Sequence, residues 1–67
     1  MFVKLVQGNE EVLHECYTVH TKTFIDSKQK TILLSMNNGA EVEIEVKSDM
    51  RVFVMNNEGK TIDMIRP

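Results

Sequence analysis

The 67-residue sequence has few of the residue types that define several large classes of protein. Cys16 is its only cysteine, which excludes an intramolecular disulfide and a cysteine-based zinc motif. No apolar run approaches the ~18 residues of a membrane-spanning helix. The apolar stretch within residues 1–8 is too short for the core of a signal peptide. The sequence therefore predicts a cytoplasmic protein with no membrane among its partners.

The sequence also lacks a strong excess of either charge. Eight Lys and Arg residues stand against ten Asp and Glu residues, giving a net charge of −2 at pH 7. Surfaces that bind nucleic acid are usually basic, because they displace counterions from phosphate groups. The basic residues here form no cluster of that kind, so we do not expect nucleic acid among the partners. The hydrophobic fraction of 42% and the charged fraction of 27% are typical of a folded globular domain.

Groups that carry catalytic chemistry are equally scarce. The sequence contains neither a glycine-rich phosphate-binding loop nor an HExxH pattern. His14, Cys16 and His20 could supply metal ligands, but on one extended strand the first and last lie about 20 Å apart, too far for a single ion. Cys16 as a nucleophile has no evident oxyanion hole or third catalytic group beside it. We therefore predict no catalytic residues, no metal, no cofactor and no enzymatic activity.

Apolar and charged residues alternate through residues 40–47, the clearest pattern in the chain. A strand places alternate residues on opposite faces. The apolar side chains would then share one face, and Glu41, Glu43, Glu45 and Lys47 would share the other. The pattern predicts a half-buried strand with a solvated charged face.

Turn residues divide the rest of the chain into short β-rich segments. Asn38 and Gly39 follow the apolar run 30–36, which predicts a hairpin with a tight two-residue primed turn. Residues 51–55 and 60–65 are joined by residues 56–59, which predicts a second hairpin whose longer turn ends with Gly59 in the left-handed region. Residues 2–6 and 18–25 also read as strands, and residues 26–28 as a polar turn.

Residues 10–17 fit two structures. Val12, Leu13, Cys16 and Tyr17 fall on one face of a helix that Asn9 could cap. Eight residues make a marginal helix, however, and an extended segment continues without interruption into residue 18. We favour the strand and keep the helix as the alternative.

These segments predict one all-β domain over residues 1–67, with five to seven short strands. The expected architecture is a small SH3-like or OB-like barrel or a bent antiparallel meander, in which residues 48–50 form a single 3₁₀ turn. In so short a chain, apolar burial of about 100 kcal/mol barely offsets a conformational cost of about 100 kcal/mol. Association with another chain would add burial, so we expect a homo-oligomer.

The segment 51–55 indicates where that association occurs. Val52 and Val54 point to one face of the strand, whereas Phe53 and Met55 point to the other, so both faces require cover. Met64 adds a flexible apolar side chain of the kind that suits contact surfaces. We predict that these five residues form an oligomer or partner interface, with strand addition to an open edge as the natural binding mode.

The composition thus predicts a small non-enzymatic interaction or regulatory module that self-associates and binds a protein partner of unknown identity. Acidic β-rich chains of this size are common among bacterial and bacteriophage accessory proteins. The alternative is an oligomeric barrel that binds a small anionic ligand at a subunit interface. The ligand would be held by His14, His20, Lys22, Arg51, Asn56 and Asn57.

Overall fold

The computed structural model describes residues 1–26 and 29–66, and this part of the chain is entirely β-structure with connecting turns. The strands are β1 (Phe2–Gln7), β2 (Glu10–Glu15), β3 (Thr18–Thr23), β4 (Lys30–Ser35), β5 (Glu41–Val46), β6 (Met50–Met55) and β7 (Thr61–Ile65). The predicted all-β fold is confirmed, and residues 10–15 form a strand, not a helix. Two residues of the predicted turn at 26–28, Ser27 and Lys28, lie outside the described part.

The seven strands form two antiparallel sheets. The four-stranded sheet has the order β2-β1-β6-β7, and the three-stranded sheet has the order β3-β4-β5. Strands β3 and β7 are fully described, and no Cα atom of one lies within 8 Å of a Cα atom of the other. The sheets therefore leave an opening between β3 and β7 and do not close into a barrel.

Gly8 explains why residues 10–15 form a strand. A two-residue turn at Gly8 and Asn9 reverses the chain, with Gly8 at φ +60. The β2 strand then pairs with β1 along its whole length, from Gln7 opposite Glu10 to Phe2 opposite Glu15. Pairing with β1 satisfies backbone groups that a short isolated helix would leave exposed.

Two short connections carry the chain between the sheets. Cys16 and Tyr17 link β2 to β3, and the Cys16 N–H donates to the Met1 carbonyl oxygen at 2.9 Å. A turn of residues 47–49 links β5 to β6, where the Met50 N–H donates to the Lys47 carbonyl oxygen at 3.0 Å. The predicted single turn at 48–50 is present as this hydrogen-bonded turn around residues 48 and 49, but it does not extend to Met50, which already belongs to β6.

The two hairpin turns predicted around Gly39 and Gly59 share one geometry. In each, the glycine N–H donates to the carbonyl oxygen three residues earlier at 3.1 Å, and the glycine has φ +87 or +83. The turn ending at Gly59 is confirmed. The two-residue primed turn at Asn38 and Gly39 is wrong: the Met36 N–H donates to the Ala40 carbonyl oxygen at 2.8 Å, which makes the turn three residues long. A type I turn that ends in left-handed glycine has this form.

The core lies between the two sheets. Val3 and Val52 from the four-stranded sheet and Ile32 and Leu34 from the three-stranded sheet are 0% exposed. Strand β5 contributes Val42, Ile44 and Val46 to the same core, while its three glutamates are exposed, as the alternation at 40–47 predicts. The core thus covers the inner faces of the central strands, whereas Val12, opposite Leu5 on the edge strand β2, is 47% exposed. The two outer faces and the opening between β3 and β7 are the larger available surfaces.

Candidate interaction surface

The outer face of the four-stranded sheet carries six apolar side chains beside five polar ones. Residues opposite one another in paired strands point to the same side. The pairing therefore identifies which side chains lie opposite the core-facing Val3, Leu5, Val52 and Val54. We call the resulting surface the apolar face; its apolar members are Phe2, Val6, Leu13, Phe53, Met55 and Met64, and its polar members are Lys4, Glu11, Glu15, Arg51 and Thr61.

One row of side chains crosses the middle of the apolar face. Leu13 on β2 lies opposite Lys4, Lys4 lies opposite Phe53, and Phe53 lies opposite Met64 on β7. The Lys4 ammonium lies 5.3 Å from the centre of the Phe53 ring, a cation–π contact that leaves the aliphatic part of Lys4 along the row. Leu13 is 58% exposed and Met64 is 44% exposed. The row therefore presents apolar side chains to solvent at both edges of the sheet.

The outer face of the three-stranded sheet has the opposite character. Its rows consist of Thr18, Ser35 and Glu41; of His20, Leu33 and Glu43; and of Lys22, Thr31 and Glu45. Leu33 is the single large apolar side chain in these rows. Opposite charges flank Thr31, which is only 3% exposed. This face is therefore suited to water, whereas the apolar face exposes several large apolar side chains among its charged ones.

The five predicted interface residues divide between the core and the apolar face. Val52 is 0% exposed and Val54 is 6% exposed, so both are buried within the chain itself. Phe53, Met55 and Met64 lie on the apolar face, with Phe53 and Met55 half-buried. Of the five, these three remain available to another molecule.

Phe2, Val6 and Leu13 also lie on this surface, although the predicted interface did not include them. A signal was present for the first two, because residues 2–6 are apolar at both odd and even positions, as residues 51–55 are. Leu13 had no such signal, since its side depends on the register between β1 and β2.

The six residues proposed for an anionic ligand are not brought together. Two of them, His20 and Lys22, lie on the outer face of the three-stranded sheet, whereas Arg51 lies on the apolar face. His14 pairs with the buried Val3 on the inner side of β2. Residues 56 and 57 belong to the β6–β7 turn and are engaged within the chain: the Asn56 Oδ1 accepts the N–H groups of residues 58 and 60 at 3.0 Å, and the Asn57 Oδ1 accepts the N-terminal ammonium.

Cys16 is enclosed by the core and is 1% exposed. Burial raises the pKa of its thiol above the ordinary 9.0, and the N-terminal ammonium opposes this shift less strongly. A buried thiol in its neutral form is a poor nucleophile. Within residues 1–26 and 29–66, no three His, Cys, Asp or Glu side chains are grouped so as to hold a metal ion.

The raised pKa of Cys16 predicts a loss of stability in alkaline solution. The native chain holds the thiol proton to higher pH than the unfolded chain does, so this stabilisation is complete below pH 9.0 and is lost as the pH rises through the raised value. We expect the free energy of unfolding to fall more between pH 8 and pH 10 for the native chain than for Cys16→Ala. Urea unfolding of both proteins at the two pH values measures this difference. An equal decrease in the free energy of unfolding for the native chain and Cys16→Ala would contradict the prediction.

Among the described residues there is no helix with the length and apolar character required to cross a membrane. Comparisons with protein-family models, with curated proteins and with solved structures find no match to this chain.

Proposed function

We propose that this chain is a small cytoplasmic protein-interaction module that pairs with a second copy of itself through the apolar face. The observation that carries the proposal is the contrast between the two outer sheet faces. One exposes Leu13 and Met64 beside aromatic and methionine side chains, whereas the other is lined mostly by charged and hydroxyl groups. A sheet that is apolar on both sides is normally covered on both sides.

The exposed area of the chain supports such a partner. A folded monomer of 7.7 kDa should expose about 4,300 Å², whereas this chain exposes 4887 Å². Removing an excess of about 560 Å² from each of two copies would bury about 1,100 Å² in total. That area is just above the ~1,000 Å² expected of a specific interface. The proposed dimer is therefore one of modest affinity.

The arrangement of charges favours a second copy and selects one way of placing it. A two-fold axis parallel to the strands sets β1 against β6 of the second copy and β2 against its β7. Leu13 then meets Met64, Phe2 meets Met55, and the Lys4 ammonium meets the Phe53 ring, all contacts of favourable chemistry. A two-fold axis perpendicular to the strands would instead set Lys4 on Lys4 and Glu11 on Glu15. The like charges disfavour that placement.

Light scattering across a concentration series tests the proposal. We expect the native chain to be a dimer at tens of micromolar. Met64→Glu would place a carboxylate in the interface and should raise the dimer dissociation constant by about 100-fold, because a charge without a partner is costly to desolvate.

Ile25→Glu is the matched control, since Ile25 is 91% exposed and lies outside the apolar face. This variant should dimerise like the native chain. A native chain that stays monomeric at tens of micromolar would overturn the proposal, as would an equal effect of the two substitutions.

A further inference from the structure

A groove of ≈ 360 Å³ occupies the opening between β3 and β7. Val19 and Thr21 of β3 line one wall, and residues 62, 63 and 65 of β7 line the other. Val54 and Met1 complete the lining, and the N-terminal ammonium of Met1 donates to the Asn57 Oδ1 atom. At the Ile65 end, the Lys30 ammonium donates to the Arg66 carbonyl oxygen and ties the two sheets together. The volume falls at the lower end of the ~300–1,000 Å³ typical of ligand pockets.

The walls of this groove are two strand edges without a neighbouring strand. Within the described residues, β3 pairs only with β4 and β7 pairs only with β6. Neighbouring strands lie about 4.8 Å apart, so a sheet with one strand missing has a gap of about 9.6 Å. The Cα atoms of β3 and β7 are more than 8 Å apart, which excludes direct pairing of the two edges and sets a lower limit on the gap.

The edge of β7 has a local substitute for the missing strand. The Met64 N–H donates to the Oδ1 atom of the neighbouring Asp63 at 2.8 Å. A side chain that accepts its neighbour's N–H competes with strand pairing for that donor. An incoming strand could take over this N–H and free the Asp63 carboxylate for a cation.

From these features we infer that the groove binds an extended segment of another protein as an added strand between β3 and β7. The segment carries apolar side chains at alternate positions, which contact Val19, Val54 and Ile65. On the same face it carries an Arg or Lys side chain for Asp63, which lies on the side of its partner Val54 and is the only charged side chain among the described residues that line the groove. Backbone hydrogen bonds give such complexes their affinity, and alternate side chains give them their specificity.

Charge excludes a second copy as the favoured occupant. The remaining edge strands of this chain are β2 and β5, and each carries three glutamates. Neither strand contains an Arg or Lys, so insertion of either would leave the Asp63 carboxylate without a cation. A basic segment of a different protein fits the same groove with opposite charge. This inference is independent of the apolar face, which points away from the groove.

The probe for a test is the peptide acetyl-Val-Thr-Arg-Thr-Val-Thr-amide, which places Arg on the same face as both Val side chains, titrated into ¹⁵N-labelled full-length chain and followed by NMR. We expect shifts and slowed amide exchange along β3 and β7. A peptide N-methylated at alternate residues along its binding edge should bind about tenfold more weakly, because it loses hydrogen bonds to the strand edge. Glu in place of Arg should also weaken binding about tenfold.

Two variants, with Ile25→Lys as the control, separate this site from the dimer surface. Ile62 is 55% exposed in the groove wall, so Ile62→Lys should fold and should abolish the peptide-induced shifts; Ile25→Lys, outside the groove, should preserve them. Met64→Glu should still bind the peptide even where it disrupts the dimer. Three results would each overturn the inference. These are shifts centred on the apolar face, equal binding of the N-methylated and unmethylated peptides, and protection of the β3 and β7 amides by self-association without peptide.

Discussion

Leu34→Ala is expected to remove about 3 kcal/mol from the free energy of unfolding, whereas Leu33→Ala is expected to remove less than about 1 kcal/mol. Leu34 is 0% exposed between the two sheets, where truncation leaves a cavity. Leu33 lies half-buried on the outer face of the three-stranded sheet, between His20 and Glu43. Its truncation leaves no enclosed cavity, because water can occupy the space.

A loss of this size matters more here than in a larger protein. The core of a domain below about 70 residues rarely supplies more than about 3–5 kcal/mol of net stability. Leu34→Ala should therefore be largely unfolded at 25 °C, and Leu33→Ala should remain folded.

Urea unfolding followed by circular dichroism measures both variants. Leu34→Met keeps the side-chain volume and should cost less than about 1.5 kcal/mol, so it reports on the site even where Leu34→Ala does not fold. Equal losses for Leu33→Ala and Leu34→Ala would contradict the assignment of inner and outer faces.

This pair of residues also illustrates where sequence-based prediction ends. Residues 32–34 are all apolar, so their own pattern does not say which of them face the core. The answer depends on the hairpin that follows. A two-residue turn at Asn38 and Gly39 would pair Leu33 with Ile44, whereas the observed three-residue turn pairs Leu34 with Val42 and Leu33 with Glu43.

One additional turn residue thus exchanges the two faces of β4. The local alternation at 40–47 was sufficient to predict the strand, but not its register with its neighbour.

The apolar face could be predicted only in part for a related reason. Phe53 and Met55 were identified because residues 51–55 are apolar on both faces. Their neighbours Phe2 and Lys4 come from β1, about 50 residues earlier in the chain, and a non-local pairing of this kind has no local signature in the sequence. The groove was also beyond reach, because it depends on which pair of edge strands the fold leaves open.

Phe53→Glu and Val52→Glu should have opposite outcomes although they alter neighbouring residues of one strand. Val52 is 0% exposed and lies opposite Leu5 in the core. A carboxylate there would be buried without a partner, a cost of several kcal/mol that exceeds the margin of so small a domain. We expect Val52→Glu to be unfolded at neutral pH.

Phe53 lies on the apolar face, where a carboxylate would remain in water in the monomer and would stand beside Lys4. Phe53→Glu should therefore fold. It removes the ring that contacts the Lys4 ammonium at 5.3 Å and places a charge in the proposed dimer interface. We expect its dimer dissociation constant to rise by about 100-fold or more, so that the variant is monomeric at tens of micromolar.

Circular dichroism and sedimentation velocity on both variants separate the two roles of β6. Loss of the β-sheet spectrum in Val52→Glu alone would assign that residue to the core, and a folded monomeric Phe53→Glu would assign its neighbour to the interface. A folded Phe53→Glu that still dimerises would instead show that the copies meet elsewhere, for example along a strand edge. Unfolding of both variants would mean that Phe53 supports the fold of the single chain, and the apolar face would then lose its central member.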